Sequence, residues 1–198
     1  KYTLLDFDNK FFVRFISYFR NDLKISDNTL NRYISYLKTF LNWCVKNNYK
    51  VNTYYKNVTI KKKLTTHIAL TQDDLKVLEQ VQLPPLHDYY RDLFLIGCYS
   101  GQRFSDYHRF NKKYKKDNFL IIRAKKTNDF AYIPLTKKLT RLLEKYDWVL
   151  NKISGQKFNN HIQNICKIAG FTEVYQIDKF YGNNKVSEDV PKWKLIFN

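Results

Sequence analysis

Ser100-Gly101-Gln102-Arg103-Phe104-Ser105-Asp106 decides the reading of this chain. It follows an apolar helical run, Leu86 to Tyr99, and opens with a glycine that can end a helix abruptly. A short helix is expected just beyond, with Arg103 at its start, aimed away from the core. Arginine suits a phosphodiester because its planar fork donates two hydrogen bonds at once. Asp106 stands three residues on, close enough on a helical turn to orient that guanidinium. Taken alone, an exposed Arg–Asp pair is equally an ordinary surface salt bridge.

The surroundings are periodic. Thr71-Gln-Asp-Asp74 resembles a capping box before Leu75, Val77 and Leu78, and Pro84-Pro85 breaks the chain. Phe119–Arg123 and Phe130–Pro134 flank Lys125-Lys126-Thr127 and read as a β-hairpin. Thr136 to Tyr146 is helical through Leu139, Leu142 and Leu143. Ser154 caps a further helix through Phe158, Ile162, Ile165 and Ile168, closed by Gly170. Val174 to Ile196 reads as strands around Gly182-Asn183-Asn184. A lysine at a strand end, such as Lys126, can protonate a leaving oxygen; a charged hairpin tip is the plainer alternative.

Upstream, residues 7 to 22 place Phe11, Phe12, Phe15, Ile16 and Phe19 at helical spacing. Asp27 or Asn28 can cap a second helix reaching about Asn47. Leu30, Tyr33, Ile34, Leu37, Phe40, Leu41, Cys44 and Val45 form its apolar face. The opposite face gathers Asn28, Arg32, Ser35, Thr39, Asn42 and Lys46, groups that fit a phosphate backbone or simply water. Periodicity weakens from 48 to 70, a stretch holding Lys61-Lys62-Lys63 and read as a basic linker, its joining segment drawn at 61–70.

Charge narrows the partner. The 198 residues carry 35 Lys and Arg against 18 Asp and Glu, a net +17. Residues 1–64 contribute 13 against 4 and the remainder 22 against 14, so both halves are basic. Such imbalance costs stability through self-repulsion and implies a polyanionic partner. No apolar run approaches the roughly 18 residues of a membrane span, and no signal peptide opens the chain. Cys44, Cys98 and Cys166 are read as reduced core residues of a cytosolic protein. His67, His87, His108 and His161 lack metal-ligand spacing. The absence of methionine implies that the natural N-terminus is missing.

The motifs in order resemble the tyrosine recombinases, particularly integrases of Bacteroides-type phages and conjugative elements. Ser26-Asp27-Asn28-Thr29 with Tyr33, Leu37-Lys38-Thr39-Phe40-Leu41 and Trp43 resembles the SAM-like core-binding domain. Ala69-Leu70-Thr71-Gln72-Asp73-Asp74-Leu75 resembles the "LT-x-x-E-L" opening of the catalytic domain. Arg91–Leu95 with Ser100–Asp106 is similar to the "TG-x-R-x-S-D" box, and Lys126-Thr127 with Tyr132–Leu135 to the "KT…IPL" hairpin.

The resemblance implies two domains. These are an all-α SAM-like core-binding domain over 1–60 and, after the linker at 61–70, an incomplete mixed α+β catalytic domain over 71–198. It implies Arg103 as the arginine holding the scissile phosphate and Lys126 as the lysine that protonates the leaving 5′-oxygen. Asp106 would be a supporting acid. Asn28, Thr29, Arg32, Lys61, Lys62, Lys63 and Lys125 would be DNA contacts. Arg103 and Lys126 are expected to converge on a basic concave surface between the domains. Family members attack through a tyrosine and form a 3′-phosphotyrosyl link, so no metal or other cofactor is required. The partner implied is double-stranded DNA rather than a membrane. The protein would be a monomer in solution and a homotetramer on paired sites in full length, in the bacterial cytoplasm with the nucleoid.

The family continues into an H-x-x-R helix and the tyrosine, whereas this sequence stops at Asn198 and His161 is followed by Ile-Gln-Asn. It is therefore expected to bind duplex DNA without cleaving it. A non-catalytic DNA-binding protein derived from an integrase fits the same residues. Charge alone would also fit a module for RNA or a membrane surface.

Overall fold

The computed structural model describes residues 2–64 and 68–196. Residues 65–67 of the expected linker, and Lys1, Phe197 and Asn198 at the ends of the expected domains, lie outside the described residues. The chain forms two compact units, Lys1–Thr66 with Gln176–Asp189, and His67–Tyr175 with Val190–Asn198.

In the first unit, Asp8 caps helix α1 (Asn9–Ser17) by accepting from the Phe11 amide at 2.8 Å. The helix runs into a wide turn, Tyr18–Asp22. Its phenylalanines pack edge to face: Phe7 on Phe11 at 4.7 Å and Phe11 on Phe12 at 5.2 Å between centroids. Helix α2 (Asp27–Lys46) buries Leu30, Ile34 and Leu41 in one cluster with Phe12, and buries Cys44 as well. Phe40 and Val45, expected on that buried face, are exposed. They sit on its margins.

The N-cap of α2 is Ser26, not Asp27 or Asn28. Asp27 is buried, and its carboxylate accepts from Arg20 Nε at 2.8 Å and from the Gly182 amide at 3.0 Å. Residues 51–60 are not linker. Tyr55, Val58 and Ile60 are buried in this core, and Tyr55 Oη donates to Asn42 Oδ1 at 2.6 Å.

The second unit is built around helix α4 (Pro85–Ser100), whose residues 90–97 are all buried. Helix α3 (Gln72–Gln80) precedes it, capped by the expected box: Thr71 Oγ1 accepts from the Asp74 amide, and Asp74 accepts from the Thr71 amide. Val77 of α3 is exposed. The short helix α5 (Phe104–Tyr107) follows α4, and then a three-stranded antiparallel sheet, β1 (Lys115–Lys116), β2 (Phe119–Arg123) and β3 (Phe130–Pro134), in that order. Helices α6 (Lys137–Lys145) and α7 (Gly155–Ile168) pack on α4. They bury Leu139, Leu142 and Leu143, and Phe158, Ile162, Ile165 and Cys166. Ile168 of α7 is exposed.

The hairpin β4 (Val174–Tyr181) and β5 (Asn184–Pro191) turns at Gly182-Asn183, with φ +66° at the glycine. Helix α8 (Lys192–Leu195) ends the described chain. Burial pushes the Cys166 thiol up to about 12. Cys98, expected in the core, is exposed as a residue, although desolvation still pushes its thiol up to about 11.

Charges hold α4 in place as well. Arg91 Nε donates to Asp92 at 2.8 Å and also pairs with Asp88. Lys145 and Tyr146, at the end of α6, donate to the same Asp92 at 2.6 and 2.7 Å. An unpaired carboxylate at this depth would cost several kcal/mol, so Arg91, Lys145 and Tyr146 all converge on Asp92.

A second such pair joins Asp74 to Lys192 at 2.7 Å. Burial opposes the charge of Asp74, but the Lys192 ammonium and the Thr71 donors outweigh it and hold the carboxyl below its usual value. This pair therefore stabilises above the ordinary aspartate value, about 3.9, and loses its contribution as pH falls further. In acid titrations, Asp74→Asn is expected to flatten the fall in melting temperature below that pH.

Gly97 of α4 lies against the Tyr107 ring of α5. A Cβ there would lie 2.6 Å from the Tyr107 ring. Gly97→Ala is expected to destabilise by about 1–3 kcal/mol through overpacking, read as a lower denaturation midpoint with an unchanged m-value.

Candidate functional site

Helix α4 ends because Gly101 adopts φ +63°, a left-handed conformation that costs other residues about 1–2 kcal/mol. The chain turns, and Arg103 takes the N-cap position of α5 with extended backbone. Its carbonyl accepts from the Asp106 and Tyr107 amides at 2.8 and 3.0 Å. Its side chain is exposed, and no ion pair engages it among the described residues. The backbone of Arg103 is thus fixed while its guanidinium is left available.

Asp106 is 1% exposed. Its Oδ1 accepts from Arg109 Nη2 and from the Lys125 backbone amide, both at 2.8 Å. Its Oδ2 is buried and accepts no hydrogen bond among the described residues. The expectation that Asp106 orients Arg103 is therefore corrected: it bonds Arg109, one helical turn on. Sequence reading passed over Arg109, although its i, i+3 spacing from Asp106 was the available signal.

Arg109 also donates from Nε to the Ser105 carbonyl and from Nη2 to the Arg123 carbonyl, each at 3.0 Å. A single guanidinium thus ties α5 to the end of β2. The loop it secures is closed by Ala124 N to Asp129 O at 2.8 Å and by Asn128 N to Ala124 O at 2.9 Å. Lys125 and Lys126 are exposed on its turn. Arg103 lies three residues before Asp106, and Lys126 directly follows the amide that Asp106 holds. Both cations are thereby hung from one carboxylate. Donors held this way can stabilise charge that develops on a bound oxyanion.

The remaining sequence-derived residues fall in the first unit. Asn28 accepts from the Lys63 amide and donates to the Lys63 carbonyl, both at 2.9 Å. Its amide is therefore engaged in seating that strand of chain on the first turn of α2. Asn31 Nδ2 donates to the Ile60 carbonyl at 2.5 Å. Thr29 shares a 3.4 Å hydroxyl contact with Ser26, and Arg32 is exposed. Lys61, Lys62 and Lys63 are exposed, and Lys63 Nζ lies 5.3 Å from the Phe180 ring centroid. Arg20, Lys61, Lys63 and Asn183 help line a hollow of about 410 Å³. Ser35 and Thr39 spend their hydroxyl protons on α2 itself, at the Asn31 and Ser35 carbonyls.

Among the described residues, no group of three or more His, Cys, Asp or Glu side chains could hold a metal ion. No helix among the described residues is long and apolar enough to cross a membrane.

Residues 1–64 match the family model of the phage integrase SAM-like domain. A lambda integrase dimer bound to a COC′ core site superposes with a TM-score of 0.71 at 16% identity, over 87% of this chain and 66% of that one. The fold is that of the tyrosine recombinases. A lambda integrase tetramer bound to a Holliday junction gives 0.69 at 16%, over 85% of this chain and 52% of that one. XerH recombinase bound to its difH substrate, in a pre-cleavage complex, gives 0.60 at 17%, over 84% and 55%. The chain thus spans about half to two thirds of these recombinases. No curated protein sequence matches it. Within the tyrosine recombinase fold, the described residues form the helical SAM-like unit and part of the mixed α+β unit.

The Asp106 tie has a direct readout. Asp106→Ala leaves the Lys125 amide and Arg109 without their acceptor and opens a void, so a loss of about 2–4 kcal/mol is expected. Hydrogen exchange should accelerate selectively over residues 123–129. Uniform acceleration, or none, would show that the carboxylate does not anchor the loop.

Proposed function

We propose that this chain is the duplex-gripping portion of a site-specific DNA recombinase, supplying two of the cationic groups that act on the scissile phosphodiester. The observation that carries this is the bond from Asp106 to the Lys125 amide at 2.8 Å. It couples the turn bearing Arg103 to the loop bearing Lys126. Further support comes from the charge of +17 and from the DNA in the complexes of the fold's relatives.

In this reading, Arg103 donates to the nonbridging phosphate oxygens and stabilises their charge as the phosphorus becomes five-coordinate. Lys126 delivers a proton to the departing 5′-oxygen, where charge accumulates fastest. Asp106 positions the two through Lys125 and Arg109 and touches no substrate. In the first unit, Arg32 and Lys61–Lys63 contact the backbone of the duplex, while Asn28 holds the Lys63 segment in place. Strand breakage and rejoining through a 3′-phosphotyrosyl link is the activity proposed for the whole protein, assembled as a tetramer on paired sites.

Fluorescence anisotropy with a random-sequence duplex across a salt series tests the binding. Affinity should fall steeply, with a log–log slope near −0.9 for each phosphate neutralised. Arg103→Ala and Lys126→Ala should each weaken binding and reduce that slope by about one contact, with the melting temperature unchanged. A large fall in melting temperature for Arg103→Ala would place the side chain in the core. A native chain with no duplex affinity at low salt would end the proposal.

A further inference from the structure

The three-stranded sheet has two faces of opposite character. One carries Leu120, Ile122 and Ile133, exposed by 0, 5 and 2%, and is core. The other is open. In register, Lys116 faces Phe119, Ile121 faces Tyr132, and Arg123 faces Phe130. Phe119, Tyr132 and Phe130 are 43, 65 and 64% exposed. The Arg123 guanidinium lies 5.7 Å from the Phe130 ring centroid. Three aromatic rings on one solvent face, with a cation at either end, need explaining, because apolar rings are favoured by removal from water.

Charge selects the occupant. Lys116 and Arg123 flank the rings, and Lys112, Lys113 and Lys115 follow the same edge, all exposed. An apolar protein surface would gain nothing from this cationic border, whereas a polyanion carrying flat apolar rings would use both features. Side chains on one face of a strand repeat about every 6.8 Å. Stacked bases lie about 3.4 Å apart, so each ring has room to lie between two parted bases.

We propose that the outer face of this sheet, Phe119, Phe130 and Tyr132 with Lys116 and Arg123, is a stacking platform for unpaired nucleotides of single-stranded DNA. It goes beyond duplex binding and stands without the assignment of Arg103 and Lys126.

The test uses the full 198-residue chain and fluorescein-labelled oligo(dT) of about 12 nucleotides, within the range of single-strand sites. Phe130→Ala/Tyr132→Ala should weaken oligo(dT) binding by about tenfold or more, since each base–aromatic stack contributes that much. Phe130→Trp/Tyr132→Trp should restore it. Affinity for duplex DNA and the melting temperature should hold in both. Equal losses for oligo(dT) and duplex, or no loss for either, would overturn the platform. So would a change of oligomeric state in sedimentation, which would make the face a protein contact. Failure of the native chain to bind duplex would instead count against the recombinase reading alone.

Discussion

A carboxylate taken out of water must be met by donors, or it costs the fold several kcal/mol. Asp106 satisfies that condition with the Lys125 amide and the Arg109 guanidinium, and the site depends on this choice of partners. Because one donor is backbone from another element, the loop after β2 cannot drift without exposing a buried charge. Because Asp106 sits in the first turn of α5, the same constraint fixes the turn that begins at Gly101. The exposed cations need no partners of their own. They inherit their positions from a residue that never reaches the surface.

Much of this architecture was legible because local rules and the fold agreed. The Thr71–Asp74 box, the Ser154 cap, the Gly101 stop and the 119–134 hairpin each rest on a few neighbouring residues, and each is present. What failed depended on contacts distant in sequence. Spacing on one short helix pairs Asp106 with Arg103, but the carboxylate instead finds Lys125 in the loop of the following hairpin. Asp27, one of the two candidate caps, instead finds its partners in Arg20 and an amide 155 residues away. Tyr55, Val58 and Ile60 are buried although their stretch shows little periodicity, because an irregular segment buries side chains without a period. Helix margins misled in a similar way: Phe40, Val45, Val77 and Ile168 are apolar and exposed.

The open sheet face was hidden from the sequence for a related reason. Phe119-Leu-Ile-Ile-Arg123 is apolar at four positions in five, so composition does not say which side is core. Only the strand register separates Leu120 and Ile122 from Phe119 and Ile121, and a shift of one residue would exchange them. The same hairpin thus holds a packed layer, an exposed aromatic layer and, at its tip, Lys125 and Lys126.

The composition of the first unit has a consequence for biosynthesis. Residues 1–64 form most of it, but Gln176–Asp189 completes it. Chains leave the ribosome N-terminus first and fold as they emerge. Until residue 182 has been added, Asp27 therefore lacks the Gly182 amide that it accepts from in the folded chain. Contacts closing so long a loop form slowly. Until residues 176–189 emerge, the helical piece must hold together on the core that Phe12, Leu30, Ile34, Leu41, Tyr55, Val58 and Ile60 form by themselves.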